Sequence, residues 1–442
     1  MGKEKLRRII KKNRGIRRIA VGCLTAAALF ALIFAFYNRH AEVENTQTEE
    51  KTVLIVTFAS GDDGWNRSVS LVCAAFMEKY PEIEVRLQPS TRTQSGFYDD
   101  YLKRQTAVGE LGDVVEVKDI RMAYEEGMFC PLPDELTDLL QDTWMAPDGC
   151  VYTLPGVRLE QGMIYNKDVF DALGLTPPST WEEFEVLCET LKERQYTPLV
   201  VGGGDSWHLM FWCRYFFNSC VTSSNPSWQK DCTLGKVSWT EEEPAEMLDR
   251  FAGLFEKGYV SRGYAMTGDA ETCEYIANGN AVMLYSLCNQ IPKIQSLNPE
   301  IRLGWFFMPD DEGRKYSFTD NQSGWGISAE CGNDEKKYDA AVNFLKFFYS
   351  EEIYGEICSL MNALPVTKQE IPVENEQLKA ISEEVGSGVL KPEMQIGDED
   401  TPEGFRNFLC AGLKKVLDGE KTKEEMLKEY QQEWERAVAD AG

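Results

Sequence analysis

Within Asp62–Asn66 the chain places one indole beside three hydrogen-bonding side chains. Trp65 offers a flat apolar face, while Asp62, Asp63 and Asn66 offer polar partners, a combination suited to a ligand with an apolar face and a polar edge. The same residues, in the run ASGDDGWN, also make an ordinary turn with a helix cap. Asp205 and Trp207 repeat the pairing after the apolar run Pro198–Val201, although Trp207 equally fits a helix core shared with Phe211 and Trp212. Catalysis finds less material. His40 and His208 are the only histidines, so a Ser-His-Asp triad or a histidine metal site lacks its parts. The five residues from His208 to Cys213 turn a helix by roughly 500°, which points the two side chains apart. With 72 acidic residues a carboxylate pair can always be imagined, so it carries no information. Gly202–Asp205 (GGGD) lacks the Lys-Ser/Thr of a phosphate loop. No metal, cofactor or enzymatic activity is expected.

The elements that must position these groups are legible in one stretch, Gly162–Glu193. Gly162–Tyr165 is a short apolar run, and Asn166 then offers a side-chain oxygen to the free amides of a helix with Val169, Phe170 and Leu173 inward. Gly174 closes that helix and Pro177 and Pro178 forbid its resumption. Thr180 and Glu183 form a capping-box pattern before Trp181, Phe184, Leu187, Cys188 and Leu191, which recur at helical spacing. Further strands are expected at 53–59, 83–88, 113–117, 198–201, 281–286, 301–308 and 325–328, with helices such as 69–80 and 245–257 between them. This alternation argues α/β lobes with mostly parallel sheets. In the C-terminal helix, Thr422–Ala439, Met426, Tyr430, Trp434 and Val438 stand four apart and read as packing.

Taken as a pattern, YNKDVFDALGLTPPSTWEEF resembles a segment of the family 1 extracellular solute-binding proteins of ABC importers, the carbohydrate-type group. FMEKYPEIEV (76–85), DGCVYTLP (148–155), NAVMLY (280–285), GWGISA (324–329), AVNFLKFFYSEE (341–352) and NALPV (362–366) follow in the family's order, so the resemblance spans about Val53–Gly442. It implies a two-lobed periplasmic-binding-protein-like α/β fold (type II), a carbohydrate or related solute in the interlobe cleft, and ABC permease subunits as partners. It also implies Glu160, Tyr285, Asn289, Gln322 and Trp325 as cleft residues. Where family members commonly carry a stacking tryptophan after the strand matching Ala281–Tyr285, this chain has Ser286-Leu287-Cys288-Asn289, which departs from a standard oligosaccharide site. Lobe 1 is expected at 53–162 and 286–330 and lobe 2 at 163–285 and 331–442, with hinge crossings near 160–164, 285–290 and 326–331. The alternative role is a ligand-sensing ectodomain of the same fold.

Residues 1–18 carry nine Lys or Arg and one Glu, and Ile19–Tyr37 is a run of 19 residues without charge. A helix of that length reaches about 28 Å, enough to span a bilayer core. The basic flank predicts a cytoplasmic tail, an uncleaved single-pass anchor in the cell membrane, a polar tether over 38–52 and an extracellular remainder. Gly22-Cys23 superficially fits a lipidation site, but most of the apolar run follows it. Beyond the tail stand 37 basic and 71 acidic residues, a net charge of −34, which excludes nucleic acid as a partner. Apolar residues at 43% supply a real core, and the length beyond the anchor asks for two of them. The 13 cysteines include no C-x-x-C. Most sit in apolar helical patterns as buried thiols, while Cys213, Cys220 and Cys232 are close enough in sequence to pair.

Overall fold

The computed structural model describes residues 51–91, 95–205, 208–319, 324–372, 375–386, 388–392, 395–396, 401–402 and 404–441. The expected anchor and Cys23 lie outside them, and among the described residues no helix is long and apolar enough to cross a membrane. Residues 52–442 form one compact unit.

Ten strands run in chain order: β1 Thr52–Ala59, β2 Ile83–Ser90, β3 Val114–Val117, β4 Leu154–Pro155, β5 Glu160–Asn166, β6 Leu199–Val200, β7 Met283–Leu287, β8 Leu303–Phe306, β9 Phe318–Thr319 and β10 Gly324–Ile327. They form two sheets, β2-β1-β3-β10-β4 and β6-β7-β5-β8, with β9 also on β5. β1 is parallel to β2 and β3, whereas β10 returns antiparallel between β3 and β4. In the second sheet β7 and β8 flank β5 antiparallel and only β6 and β7 are parallel, so the expectation of mostly parallel sheets holds for the first sheet's centre alone.

Each sheet is covered by helices, as strands buried on both faces require. The helix Asp63–Lys79 packs Val72 and Phe76 among Leu54, Val56 and Phe344, and Phe76 meets Phe344 edge-on at 5.2 Å between ring centres. Tyr98, Leu102 and Met122 cover the opposite face with Val115 and Val117. In the second lobe Ile276, Ile291 and Ile294 cover one face against Ile164, Val200 and Leu284. The C-terminal helix Lys423–Ala441 buries Met426, Tyr430 and Trp434 completely, each at 0% exposure, in the packing role its spacing predicts. Local signals read from sequence act as their chemistry requires. Asn166 Oδ1 accepts from the amides of Asp168 and Val169, Gly174 adopts φ 66°, and Thr180 Oγ1 accepts from Glu183 N–H.

The lobe boundaries differ from those expected. β8 and β9 pair with β5, and the helix Gln290–Leu297 packs its isoleucines into the second lobe, so the chain from Ser286 to Thr319 belongs there and no crossing occurs at 285–290. Conversely, Glu335–Phe348 and Glu351–Met361 pack on the first lobe. β4 and β5 lie in different sheets, as do β9 and β10, and the chain changes lobe again beyond Thr367, which bridges Leu140 of the first lobe before the helix Glu376–Gly386 reaches β8. Helical amphipathicity shows that a helix packs but not which of two cores it packs on, which is why this division was not legible. All twelve described cysteines are free thiols, so the suggested pairing of Cys213, Cys220 and Cys232 is absent.

Candidate functional site

The loop after β1 ends at Asp62, the N-cap of Asp63–Lys79, whose Oδ1 accepts from Trp65 N–H at 2.9 Å. This cap leaves Oδ2 free to point outward. It meets Lys293 Nζ at 2.9 Å, and Asn289 Nδ2 donates to it at 3.5 Å. Asn289 and Lys293 stand one helical turn apart at the start of Gln290–Leu297, directly after β7. The carboxylate therefore comes from one lobe and both of its partners from the other. Alongside, at the hinge, Asn362 Nδ2 donates to Cys288 C=O at 2.8 Å, and Asn362 holds the left-handed conformation that ends its helix, φ 49°.

Behind Lys293 lies a second polar layer. Asp205 Oδ2 accepts from Asp269 N–H at 2.8 Å, Gln290 Nε2 donates to Asp269 Oδ2 at 3.2 Å, and His208 Nε2 lies 3.7 Å from Asp269 Oδ1. Burial raises the Asp269 carboxyl above its ordinary range; Lys293 opposes that rise and Asp205 adds to it. Burial alone would push the Lys293 ammonium down, but the charge and hydrogen bond of Asp62, with the charge of Asp269, outweigh it and hold it above the usual lysine value. Burial pushes the fully enclosed His208 imidazole down to about 4, and its Nδ1 accepts from Gly202 N–H. His208 is therefore neutral at pH 7.

The other expected residues divide by location. Glu160, fully buried on β5, accepts from Arg158 Nε at 2.5 Å and Ser317 Oγ at 2.6 Å, and its backbone carbonyl accepts from Cys288 N–H. Glu160 thus stands where the chain enters β5 after leaving β4 of the other sheet. Trp65 stacks on Trp325 at 5.6 Å and 24°, meets Phe348 edge-on, and donates Nε1–H to Glu116 Oε2 at 3.0 Å. At 8% and 1% exposure, neither Trp65 nor Trp325 presents a face to a ligand in this conformation. Tyr285 is enclosed against Trp212 at 4.7 Å in the second lobe's core. Asp63 is exposed on the first turn of its helix, while Asn66 is half-buried and donates to Ser60 C=O. Trp207 and Gln322 lie outside the described residues. Of the expected set, Asp62 and Asn289 meet directly and Asp205 stands behind them. Sequence reading missed Lys293, Asp269, Gln290 and Glu116. The one available signal was the four-residue interval from Asn289 to Lys293, which places both side chains on one face of a helix leaving a strand end.

Two helix-covered sheets, joined by multiple crossings and meeting through polar side chains, are the architecture of a binding protein that holds a solute between lobes. The model of the bacterial extracellular solute-binding protein family matches residues 67–354, and the chain belongs to that family. It is 22% identical over 339 residues to the multiple sugar-binding protein of Streptococcus mutans serotype c, covering 74% of this chain and 76% of that one. Among solved structures it is similar to a chitin oligosaccharide binding protein, with a TM-score of 0.76 at 23% identity, covering 88% of this chain and 100% of that chain. A Bacillus licheniformis sugar transporter structure in complex with stachyose gives a TM-score of 0.72 at 18% identity, with 87% and 100% covered.

Proposed function

We propose that this chain is the solute-binding component of an ABC importer, that it takes a carbohydrate between its lobes, and that it presents the loaded form to permease subunits. The observation that carries the reading is the cross-lobe meeting of Asp62 with Asn289 and Lys293 in a fold of this family. Donors and acceptors facing each other across a cleft suit a ligand dense in hydroxyls, and the names of the relatives agree with that chemistry. Binding energy is used to shift the lobes toward closure and no bond is made or broken. The binding unit stands outside the cell on the span formed by Ile19–Tyr37, with the basic tail in the cytoplasm. A thermal-shift screen of the full-length chain against mono- and oligosaccharides and polyols tests the reading. A saturable rise in melting midpoint with one sugar, together with a fall in radius of gyration by small-angle scattering, is the expected result. A cooperative melt unmoved by every sugar would refute it.

A further inference from the structure

The Asp62–Lys293 contact has three properties that a simple surface ion pair lacks. It joins the two lobes, since Asp62 caps a first-lobe helix and Lys293 sits on a second-lobe helix. It is part-enclosed, with side-chain exposures of 33% for Lys293 and 26% for Asp62. And Asn289, which donates to the same carboxylate oxygen, has its own Oδ1 buried without a hydrogen-bond partner at a residue only 9% exposed. A buried amide oxygen left empty costs free energy unless a bound group fills it.

Resting on the carbohydrate reading above, we propose that Lys293, Asp62 and Asn289 form a cross-lobe clamp for a vicinal diol of a neutral sugar, with Lys293 as a specificity-determining residue. The ammonium has donors only and the carboxylate acceptors only. A diol interposed between them satisfies both, because one hydroxyl oxygen accepts from Nζ while the neighbouring hydroxyl donates to Oδ2. Asn289 Oδ1 then accepts the remaining hydroxyl proton. In the unliganded chain the two charges satisfy each other, which keeps both side chains in place and lowers the ordering cost when the diol enters. The surrounding charge sets the selectivity. Asp62 and Asp269 act on Lys293, and Asp205 stands against Asp269, with His208 beside them, so a phosphorylated or uronic sugar meets surplus negative charge.

The test uses calorimetric titration of the full-length chain with raffinose, stachyose, N,N′-diacetylchitobiose and, as the anionic probe, trigalacturonate. Wild type is expected to bind at least one neutral sugar and not trigalacturonate. Lys293→Met, which keeps the aliphatic stem, should bind the same sugar about tenfold or more weakly. Lys293→Arg should recover most of that loss, and both variants should melt near the wild type when unliganded. Wild-type-like affinity in Lys293→Met would overturn the clamp and leave the carbohydrate reading standing. Preference of wild type for trigalacturonate would overturn the neutral selectivity. Absence of binding to any sugar by a folded wild type would remove the carbohydrate reading and the clamp with it. Should Lys293→Met fail to fold, Asp62→Asn reads the opposite side of the clamp, with the same loss expected and the same affinity overturning it.

Discussion

Replacing Trp65 separates a ligand platform from a packing residue. The indole lies between Trp325, stacked at 5.6 Å, and the edge of Phe348, with Gly156 closing against its ring. Its Nε1–H meets a Glu116 carboxylate that is itself 4% exposed. Trp65→Ala removes a large buried aromatic and should cost about 3–5 kcal/mol by lost transfer energy and cavity formation. Trp65→Phe keeps a ring for the stack but removes the N–H, leaving Glu116 with Ala59 N–H on the same oxygen. That change should cost about 2 kcal/mol, the range for a lost hydrogen bond to a buried charge. The assay is chemical denaturation of the unliganded chain for both variants, followed by sugar titration under conditions where each is folded. The expected order of stability is wild type, Trp65→Phe, Trp65→Ala, with sugar affinity in folded Trp65→Phe within a few-fold of wild type. A Trp65→Ala variant that denatures like the wild type yet loses all sugar binding would refute the packing assignment and restore Trp65 as the stacking surface its sequence context suggested.

Glycine at 162 lets the Trp305 indole lie across β5, because a Cβ built there falls 2.3 Å from the ring; Gly162→Ala should destabilise by about 1–3 kcal/mol, read as a lower denaturation midpoint. Glu160→Gln weakens the charge-assisted bond to Arg158 and should cost about 1–3 kcal/mol, and an unchanged midpoint would show that the pair contributes nothing. His208, neutral and buried beside Asp269 and Asp205, is pushed from 6.5 down to about 4. The unfolded chain therefore takes up a proton that the folded one resists, and stability falls as pH drops from about 6.5 toward 4, by up to about 3 kcal/mol from this group. Unfolding free energies measured between pH 7 and pH 4.5 should show a smaller drop in His208→Gln than in wild type. Because the described cysteines are free, a reducing agent should leave the melting midpoint unchanged, and a fall of several degrees would contradict that state.

How much of this was legible in the sequence depended on the range of the interactions involved. The caps at Asn166 and Thr180 and the stop at Gly174 are local, and the chain forms them as their chemistry requires. The family order of motifs likewise fixed the two-lobed α/β architecture. The lobe division failed where pairing is distant, as with Trp305 opposite Ile164 on β5, because strand partners far apart in sequence leave no periodic mark. At the site, Asp62 was visible through its turn, but its partner Lys293 is 231 positions away and was hidden among ordinary helix-face residues. The burial of Trp65, Trp325 and Tyr285 was not legible, because an indole or phenol ring fills a core as readily as it supports a ligand, and burial depends on the whole fold.

At Asp62, Asn289 and Lys293 the lobes meet through an ion pair and an amide–carboxylate contact, and the weakness of this contact bears on the closing equilibrium. Apolar facing surfaces would gain about 25 cal/mol for each Å² buried, and the closed state would dominate with no solute present. A part-exposed ion pair contributes only about 0–1 kcal/mol, so Asp62 and Lys293 position the lobes without locking them. Moving a population from 1:99 to 99:1 needs about 5.5 kcal/mol of differential binding. At about 1 kcal/mol for each net hydrogen bond, a sugar must engage five or six groups that come together only on closure. Asp62, Asn289 and Lys293 already meet without a sugar, so those groups must be others between the lobes, and the buried Glu160–Ser317 bond keeps the crossing strand in register while the lobes turn about it. A variant that made this contact apolar, such as Asp62→Leu with Lys293→Leu, should therefore close without ligand and lose the sugar-dependent change in radius of gyration. A double variant that still compacts only on adding sugar would show that closure is controlled elsewhere in the cleft.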